Sequence, residues 1–245
     1  MTWALASSGG KDSTLALDRA LRQGHHIRWL LNFFDAATAR VRFHGVRAAL
    51  IAQQADRLGL DLVQSGTSPT NFEDVYLQAL DRMVDLGAQG IIYGNIHLAD
   101  VRAWYEERTT SRGLQHLEPL WGETPAAVVA EVIARGYRAR LTSVDLRMGD
   151  RAWLGEELDA QLAARVSARA NTDVAGERGE YHTFVFDGPL FRSPIDVVTG
   201  AVRETEGHVV IDLLDAGDRG GSMTGRIVAP SLHSRHSPIP ARRPM

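Results

Sequence analysis

The most informative stretch of the sequence, residues 2–17, reads TWALASSGGKDSTLAL. The apolar run 2–6 predicts a short strand, the Ser/Gly segment after it predicts a loop, and the amphipathic run 12–23 predicts a helix. A strand, a glycine-rich loop and a helix in this order favour anion binding, because backbone N–H groups and the positive helix end point at one place. Gly9 and Gly10 allow a polyanion to approach the backbone closely. The stretch therefore predicts a phosphate-binding loop.

The side chains of this loop add to the same prediction. Ser7, Ser8 and Ser13 supply hydroxyl donors, and Lys11, the only lysine of the chain, supplies a compact positive charge. Asp12 opens the helix and is a candidate ligand for Mg²⁺. A plain tight turn is the alternative, but the position between a strand and a helix favours the phosphate loop. The loop matches neither Gly-x4-Gly-Lys-Ser/Thr nor Gly-x-Gly-x-x-Gly, so we expect neither a kinase or GTPase nor a dinucleotide oxidoreductase.

The rest of the chain divides into two halves of different character. Short apolar runs alternate with amphipathic ones in the first half, which predicts βα units and a parallel sheet. The second half predicts an α+β arrangement. The predicted strands are 26–34, 61–64, 90–93, 137–146, 181–187, 194–203 and 208–214, and the predicted helices are 46–58, 71–86, 99–112, 124–135 and 154–169. We expect a domain at 1–120, a smaller one at 121–229, and a disordered tail at 230–245 that is rich in Pro, Ser, His and Arg.

Composition narrows the classes of function. The chain has 245 residues, no cysteine and a formal net charge of −3. Disulfides, iron–sulfur clusters and cysteine nucleophiles are therefore excluded, and no global basic field attracts nucleic acid. No apolar run approaches the roughly 18 residues that a membrane helix needs. We expect a cytoplasmic protein with no membrane partner.

The loop also carries a resemblance to a known superfamily. Ser8-Gly9-Gly10-Lys11-Asp12-Ser13 matches the PP-loop signature Ser-Gly-Gly-x-Asp-Ser of the ATP pyrophosphatases. The resemblance implies an α/β fold of the adenine-nucleotide α-hydrolase (HUP) type in the first domain. It also implies cleavage of ATP between the α and β phosphates, an adenylated intermediate and release of pyrophosphate.

Further segments resemble one branch of that superfamily, the diphthine–ammonia ligases, over roughly residues 1 to 195. In order, they are His44-Gly45-Val46-Arg47, Gly94-Asn95-Ile96 with Arg102, Gly113-Leu114, Pro119-Leu120-Trp121, Gly176-Glu177-Arg178-Gly179-Glu180-Tyr181-His182-Thr183-Phe184 and Asp187-Gly188-Pro189-Leu190-Phe191. The resemblance implies amidation of a carboxylate on a modified histidine of the translocation elongation factor. ATP, Mg²⁺ and ammonium would be the further reactants and cofactors.

The motif and the resemblance together assign expected site residues. Lys11, Asp12, Glu177, Glu180 and His182 are the expected catalytic residues, and Asp12 is the expected Mg²⁺ ligand. The expected ATP-binding residues are Ala6, Ser7, Ser8, Gly9, Gly10, Lys11, Asp12, Ser13, Asn32, Phe33, Phe34, Gly94, Asn95 and Arg102. Several have an alternative interpretation: Glu177 and Glu180 as solvated loop carboxylates, His182 as a structural strand residue, and Arg102 as a member of a helix-surface ion pair. His44 and His97 are ambiguous in the same way.

Three departures from the family pattern affect the acceptor more than ATP. Asn95 stands where the family usually has aspartate, and His182 replaces a common glutamate. Ala175 and Thr110 stand where many members have cysteine.

Three alternative functions therefore stay open. They are amidation of a small metabolite by the same chemistry, ATP or AMP binding without turnover, and tRNA modification. The last is disfavoured by the negative charge and the lack of cysteine. The sequence also leaves a homodimer open.

Overall fold

The computed structural model describes residues 1–205 and 207–217. Five parallel strands form the first sheet: β1 Thr2–Ala6, β2 His26–Asp35, β3 Asp61–Thr67, β4 Gly90–Ile92 and β5 Gln115–Leu117. They lie in the order β3-β2-β1-β4-β5. The strand order reverses direction between β1 and β4, and open parallel sheets bind ligands at the carboxyl ends of the strands at such a point.

Helices connect these parallel strands. They are α1 Lys11–Arg22, α2 Ala48–Leu58, α3 Phe72–Asp85 and α4 Ala99–Thr110, and two more helices follow the sheet, α5 Pro125–Ala134 and α6 Ala160–Ser167. In α1 the apolar residues Leu15, Ala16 and Leu17 are buried. Within the described residues, no helix has the length and apolar character needed to cross a membrane.

The second sheet is antiparallel. Its strands are β6 Arg138–Asp145, β7 Tyr181–Asp187, β8 Val197–Thr205 and β9 His208–Asp215, in the order β7-β6-β9-β8. The predicted fold class, a parallel-sheet α/β first part with a smaller α+β second part, is confirmed. The predicted tail 230–245 and the end of the predicted segment 121–229 lie outside the described residues.

A shared core and one buried carboxylate join the two sheets. Leu17 on α1 belongs to the same buried cluster as Val132 on α5 and Val185 on β7. The Asp18 carboxylate, 1 % exposed, accepts hydrogen bonds from Tyr137 Oη at 2.9 Å and from Arg135 Nε at 2.8 Å. Helix α1, which begins at the glycine-rich loop, is thus fixed to the second half of the chain.

One predicted helix begins later than expected, and one observed strand was not predicted. The helix predicted for 154–169 begins only at Ala160, because Leu158 N–H bonds to Ala139 O and keeps the preceding residues extended beside β6. The Asp159 side chain then caps the helix by accepting from Leu162 N–H at 2.8 Å. Strand β5 was not predicted, because three residues with polar members carry no readable alternation.

Candidate active site

A cleft of about 480 Å³ lies at the carboxyl ends of β1, β2 and β4, and the beginning of β7 closes one side of it. The lining includes thirteen of the predicted site residues: Ala6, Ser7, Ser8, Gly10, Lys11, Asp12, Ser13, Asn32, Phe33, Gly94, Asn95, Glu177 and His182. Gly9, Phe34, Arg102 and Glu180 are not part of the lining. Residues from both halves of the chain therefore meet at the carboxyl ends of these strands.

The glycine-rich loop is held in place by its own atoms. Gly9 has φ +85°, a left-handed conformation that favours glycine. Its N–H donates to Ser7 Oγ at 3.0 Å, and Ser7 Oγ lies 2.9 Å from Ser13 Oγ. Asn32 Nδ2 donates to Ser7 O at 2.8 Å. Asn32 thus supports the loop from the neighbouring strand.

The second sheet also forms hydrogen bonds with this loop. Val185 N–H donates to Gly9 O at 2.9 Å. Gln54 Nε2 lies between Gly9 O at 3.1 Å and Val185 O at 2.7 Å. Thr183 Oγ1 accepts from the Lys11 N–H at 3.1 Å. The Gly9 carbonyl thus bonds to β7, and Gly9 is not part of the cleft lining. Gly9 therefore supports the loop on the side away from the cleft.

Gly94, just after β4, packs directly against the start of α1. A Cβ atom at Gly94 would lie 2.7 Å from Ser13 N and 2.8 Å from the Asp12 carbonyl carbon. Only glycine fits this close approach. This close approach brings the turn after β4 into the same cleft as the glycine-rich loop.

The Lys11 ammonium points toward the segment before Glu177. It is 3 % exposed, donates to Ala175 O, and lies 2.9 Å from Asp12 Oδ2. Burial opposes its charge, yet the Asp12 carboxylate keeps the pKa of Lys11 above its ordinary value. Burial also raises the pKa of Asp12, against the effect of Lys11. Asp12 Oδ1 is buried without a hydrogen-bond partner among the described residues.

The two predicted glutamates have different environments. Glu177 lines the cleft, and burial together with the nearby Asp12 carboxylate raises its pKa to about 7. Glu180 is fully buried outside the lining and accepts from Asp173 N–H at 2.7 Å and Arg178 N–H at 3.1 Å. Its carboxylate holds its own loop together, so the geometry fits a positioning residue.

Two histidines of the cleft lining, His44 and His182, lie side by side. The rings of His44 and His182 lie 4.5 Å apart. Burial lowers the pKa of His44 to about 4 and keeps that of His182 well below its ordinary value, so both are neutral at pH 7. His44 Nδ1 lies 3.1 Å from Thr183 O. Since a carbonyl only accepts, Nδ1 carries the proton and Nε2 is left as an acceptor.

An aromatic wall also lines the cleft; of its members only Phe33 was predicted from the sequence, and the others were missed. Phe33 packs against Phe72 and Tyr76, both with ring centroids 5.6 Å away. Tyr93 and Tyr105 complete the wall. The spacing of Phe72 and Tyr76 four residues apart at the start of a helix was the available signal. Such an apolar aromatic surface suits a purine ring.

Arg102 and Phe34 lie outside the cleft. The Arg102 guanidinium lies 4.5 Å from the centroid of the Trp121 ring, and its Nε lies 3.6 Å from Glu118 Oε2 and 3.4 Å from Glu106 Oε2. Glu118 in turn accepts from Asn95 Nδ2 at 2.6 Å. Arg102 is therefore in contact with Glu118, which in turn binds the Asn95 side chain. The carbonyl of Phe34 accepts from Thr67 Oγ1 at 3.0 Å, while the Phe34 ring lies beside the Gly66 backbone.

His97 also lies away from the lining. Its Nε2 is 2.7 Å from Asp173 Oδ2, and the other oxygen of Asp173 accepts from Ala175 N–H at 2.8 Å. His97 thus ties the turn after β4 to the loop that carries Glu177. Its interpretation as a structural histidine fits this contact.

Comparison with known proteins covers both halves of the chain. Residues 1–116 match the family model "Diphthamide synthase N-terminal domain", and residues 124–214 match "Diphthamide synthase C-terminal domain". A diphthine–ammonia ligase from Danio rerio is 29% identical over 77% of this chain and 83% of that protein. One from Bos taurus is 28% identical over 82% of this chain and 85% of that protein.

A solved structure titled as a predicted subunit of tRNA methyltransferase, from Methanocaldococcus jannaschii, aligns with a TM-score of 0.40 and 13% identity. The alignment covers 77% of this chain and 100% of that one. The two family models lie in chain order over the two sheets described above. The chain belongs to the diphthamide synthase family.

Proposed function

We propose that this protein is an ATP-dependent ligase that adenylates a carboxylate and then amidates it with ammonia, releasing AMP and pyrophosphate. The observation that carries the proposal is the shared cleft: the phosphate-type loop and the buried carboxyl group of Glu177 line the same cavity. Family membership supports the reaction class, since the matched relatives are named diphthine–ammonia ligases.

The first step requires an activated carboxylate. A carboxylate is a poor electrophile, because its leaving group would be oxide. Attack of its oxygen on the α-phosphorus of ATP forms a P–O bond, breaks the bond to the bridging oxygen and releases pyrophosphate. The resulting acyl adenylate has AMP as its leaving group. The protein's tasks in this step are to position the two reactants and to stabilise the phosphate charge.

The loop provides the groups for that step. The N–H groups of Asp12 and Ser13 have no acceptor inside α1, because the first N–H groups of a helix lack one. They are the expected phosphate donors, together with the hydroxyls of Ser8 and Ser13. The aromatic wall of Phe33, Phe72 and Tyr76 would hold the adenine.

Charge at the cleft is consistent with Mg²⁺. The lining contains the cations Lys11 and Arg42 and the carboxyl groups of Asp12 and Glu177, so a bound triphosphate would be left largely uncompensated. The unpartnered Asp12 Oδ1 is an oxygen of the kind that Mg²⁺ prefers. When bound there, the ion would neutralise phosphate charge.

The second step is aminolysis. Ammonia attacks the carbonyl carbon of the acyl adenylate, the C–O bond to AMP breaks, and the nitrogen loses a proton. Glu177 is the expected base, because a pKa of about 7 makes it able both to accept and to release a proton near neutral pH. Glu180 acts as the positioning residue that keeps the Glu177 loop folded.

Radiolabelled ATP provides the test. AMP and pyrophosphate are measured with ammonium and, in separate reactions, the modified elongation factor or small carboxylates. We expect turnover that needs both ammonium and an acceptor, a loss of at least about 100-fold in Asp12→Asn, and no change in Asp100→Asn, whose side chain is exposed on α4. Full turnover in Asp12→Asn would contradict the assignment. ATP binding without turnover for every acceptor would indicate a nucleotide-binding module, and turnover with small carboxylates alone would indicate a metabolite ligase.

A further inference from the structure

A second cavity of about 460 Å³ adjoins the nucleotide cleft. It lies between the segment before α2 and the face of the second sheet formed by β6, β8 and β9. The two cavities share Val41, Arg42 and Phe43 as lining residues. These three residues therefore form a wall that the two cavities share.

The negative charges of this second cavity are already satisfied. Its lining contains three arginines, Arg40, Arg42 and Arg203, and two aspartates. Asp212 accepts from both Nη atoms of Arg40 at 2.8 Å, and Arg47 Nη2 lies 2.7 Å from its Oδ2. Asp35 Oδ1 accepts from the N–H and hydroxyl of Thr38, each at 2.9 Å. The carboxylates thus serve the local fold.

Two of the arginines, in contrast, have donors to spare. The contact of Arg42 with Asp35 Oδ2 is 4.0 Å long, and Arg42 Nη2 is buried without a hydrogen-bond partner among the described residues. Arg203, exposed on β8, forms no ion pair within the described part of the chain. A buried charged donor without an acceptor, such as Arg42 Nη2, is unfavourable until a ligand supplies one. The pair is therefore suited to an anionic ligand group.

Phe43 stands on the shared wall in an unusual conformation. Its side chain is 74% exposed and its backbone φ is +62°. Left-handed φ in an aromatic residue is strained and tends to occur at functional sites. The ring lies 6.2 Å from that of His182 inside the nucleotide cleft. Phe43 thus stands where a ligand would pass from one cavity to the other.

We propose that this second cavity is the acceptor subsite, in which Arg42 and Arg203 bind a second anionic group of the carboxylate substrate. The reacting carboxylate then lies past Phe43, in the nucleotide cleft. The substrate class is a carboxylate that bears another carboxylate or phosphate a few bonds away. This inference rests on the proposed function for the identity of the ligand.

Nuclear magnetic resonance with glutarate as the probe tests the subsite directly. ¹⁵N-labelled protein is titrated with glutarate and, separately, with acetate, in the absence of ATP. We expect saturable shifts of the amides at Arg42, Phe43, Arg203 and Val210, with a dissociation constant at least tenfold lower for glutarate than for acetate. In Arg203→Ala the constant for glutarate rises at least tenfold. It stays within twofold in Arg28→Ala, whose exposed guanidinium on β2 pairs with Asp61.

Three results would overturn the subsite: no saturable shifts with glutarate, shifts confined to residues 7–13, or binding that Arg203→Ala leaves unchanged. Arg203 is the informative position, because Arg42 also lines the nucleotide cleft. Because the titration contains no ATP, its failure is distinct from a failure of AMP formation. Turnover without glutarate binding would contradict the proposed subsite alone. Glutarate binding without turnover would contradict the proposed ligase activity alone.

Discussion

The Thr183 hydroxyl accepts a hydrogen bond at 3.1 Å from the backbone N–H of Lys11, 172 residues earlier in the chain. Helix α1 begins after Gly10, which has no side chain with which to cap it. The second sheet thus supplies the cap for the first turn of the helix, immediately after the glycine-rich loop. The candidate ATP site is therefore formed by both halves of the chain.

Thr183→Val keeps the shape of the side chain and removes this acceptor. We expect a stability loss of about 1–2 kcal/mol, because the Lys11 N–H is left unsatisfied in a buried place. The KM for ATP should rise about tenfold, since the phosphate loop loses a fixed contact. Urea unfolding and the kinetics of AMP formation measure the two effects.

Thr142→Val is the matched control for this change. Thr142 is also a buried strand threonine, but its hydroxyl donates to His182 O at 3.3 Å and does not contact the loop. Its loss should lower stability and leave the KM for ATP within about twofold. An equal rise of KM in both variants would show that Thr183 has no particular role at the loop.

Gly94→Ala tests the close approach between the turn after β4 and helix α1. The new Cβ would lie 2.7 Å from Ser13 N, so the start of α1 has to move. Overpacking of this kind costs about 1–3 kcal/mol. We expect a fall in ATP affinity of at least about tenfold, measured by isothermal titration calorimetry.

Gly90→Ala is the comparison for Gly94→Ala. Gly90 lies at the other end of β4 and packs against the Trp3 ring, away from the cleft. The variant should lose stability while its folded molecules keep their ATP affinity. If both glycine variants bind ATP as the wild type does, the turn after β4 does not shape the site.

The phosphate loop could be predicted from the sequence because its signal is local. Strand, glycines and helix follow one another within residues 2–23, and the order of the elements fixes where the loop lies. The contact between Thr183 and Lys11 could not be predicted in this way, since it depends on how the two sheets pack. Apart from Phe33, the members of the aromatic wall were missed for a related reason: the segments that carry these rings converge only in the folded chain.

Glu177 and Glu180 show the limit of motif reasoning most clearly. Both are glutamates of one short motif, and the sequence suggested the same role for both. The chain turns sharply just before Glu177, with φ +70° at Gly176, and again between the two glutamates, with φ +93° at Gly179. These turns place the Glu177 carboxyl group in the cleft and point Glu180 at backbone N–H groups of its own loop. The position of Arg102 outside the cleft lining could not be predicted from the motif either, because its contacts with Glu106, Glu118 and Trp121 form only in the folded chain.

Asp212→Asn tests the contact between the segment before α2 and strand β9. Although burial favours the neutral acid, Arg47 and Arg40 hold the pKa of Asp212 well below its ordinary value. We expect the free energy of unfolding to fall by about 2 kcal/mol at pH 7. This is less than the ~3–5 kcal/mol of a fully buried pair, because the Arg47 side chain is 41% exposed. Urea unfolding measures it.

The pH dependence gives the sign of this contribution. With a lowered pKa in the folded state, Asp212 stabilises above the ordinary pKa of an aspartate, about 4, and the stabilisation is lost as the pH falls below it. The difference between wild type and Asp212→Asn should therefore shrink in acid. Asp61→Asn, which breaks the exposed pair with Arg28, should cost less than about 1 kcal/mol at any pH. A constant difference down to pH 2 would contradict the ion-pair explanation.

Glu177→Gln tests whether the buried carboxyl group acts as the base for ammonia. Below pH 7 the carboxyl of Glu177 is protonated, because its pKa is raised to about 7, and it cannot accept a proton. Turnover of the wild type should therefore rise with pH through about 7. The glutamine variant should lose about 10²–10⁴-fold in turnover and show no such rise. Rates are compared at a constant concentration of free ammonia, because the ammonium-to-ammonia ratio also changes with pH.

The same raised pKa predicts a stability effect that is independent of turnover. When a carboxyl group has a higher pKa in the folded state, the folded protein is most stable at a pH where the group is protonated in both the folded and the unfolded state. This stability is lost as the pH rises from about 4.5 through 7, because the unfolded chain releases the proton first. Wild type should therefore lose stability relative to Glu177→Gln across this window, while Glu107→Gln, altered at an exposed position on α4, should follow the wild type. Suppose that the wild type loses stability relative to Glu177→Gln as described, but that turnover of Glu177→Gln still rises through pH 7. The carboxyl group is then buried as described, and another base accepts the proton. If neither is present, Glu177 is ionised at neutral pH and its assigned environment is wrong.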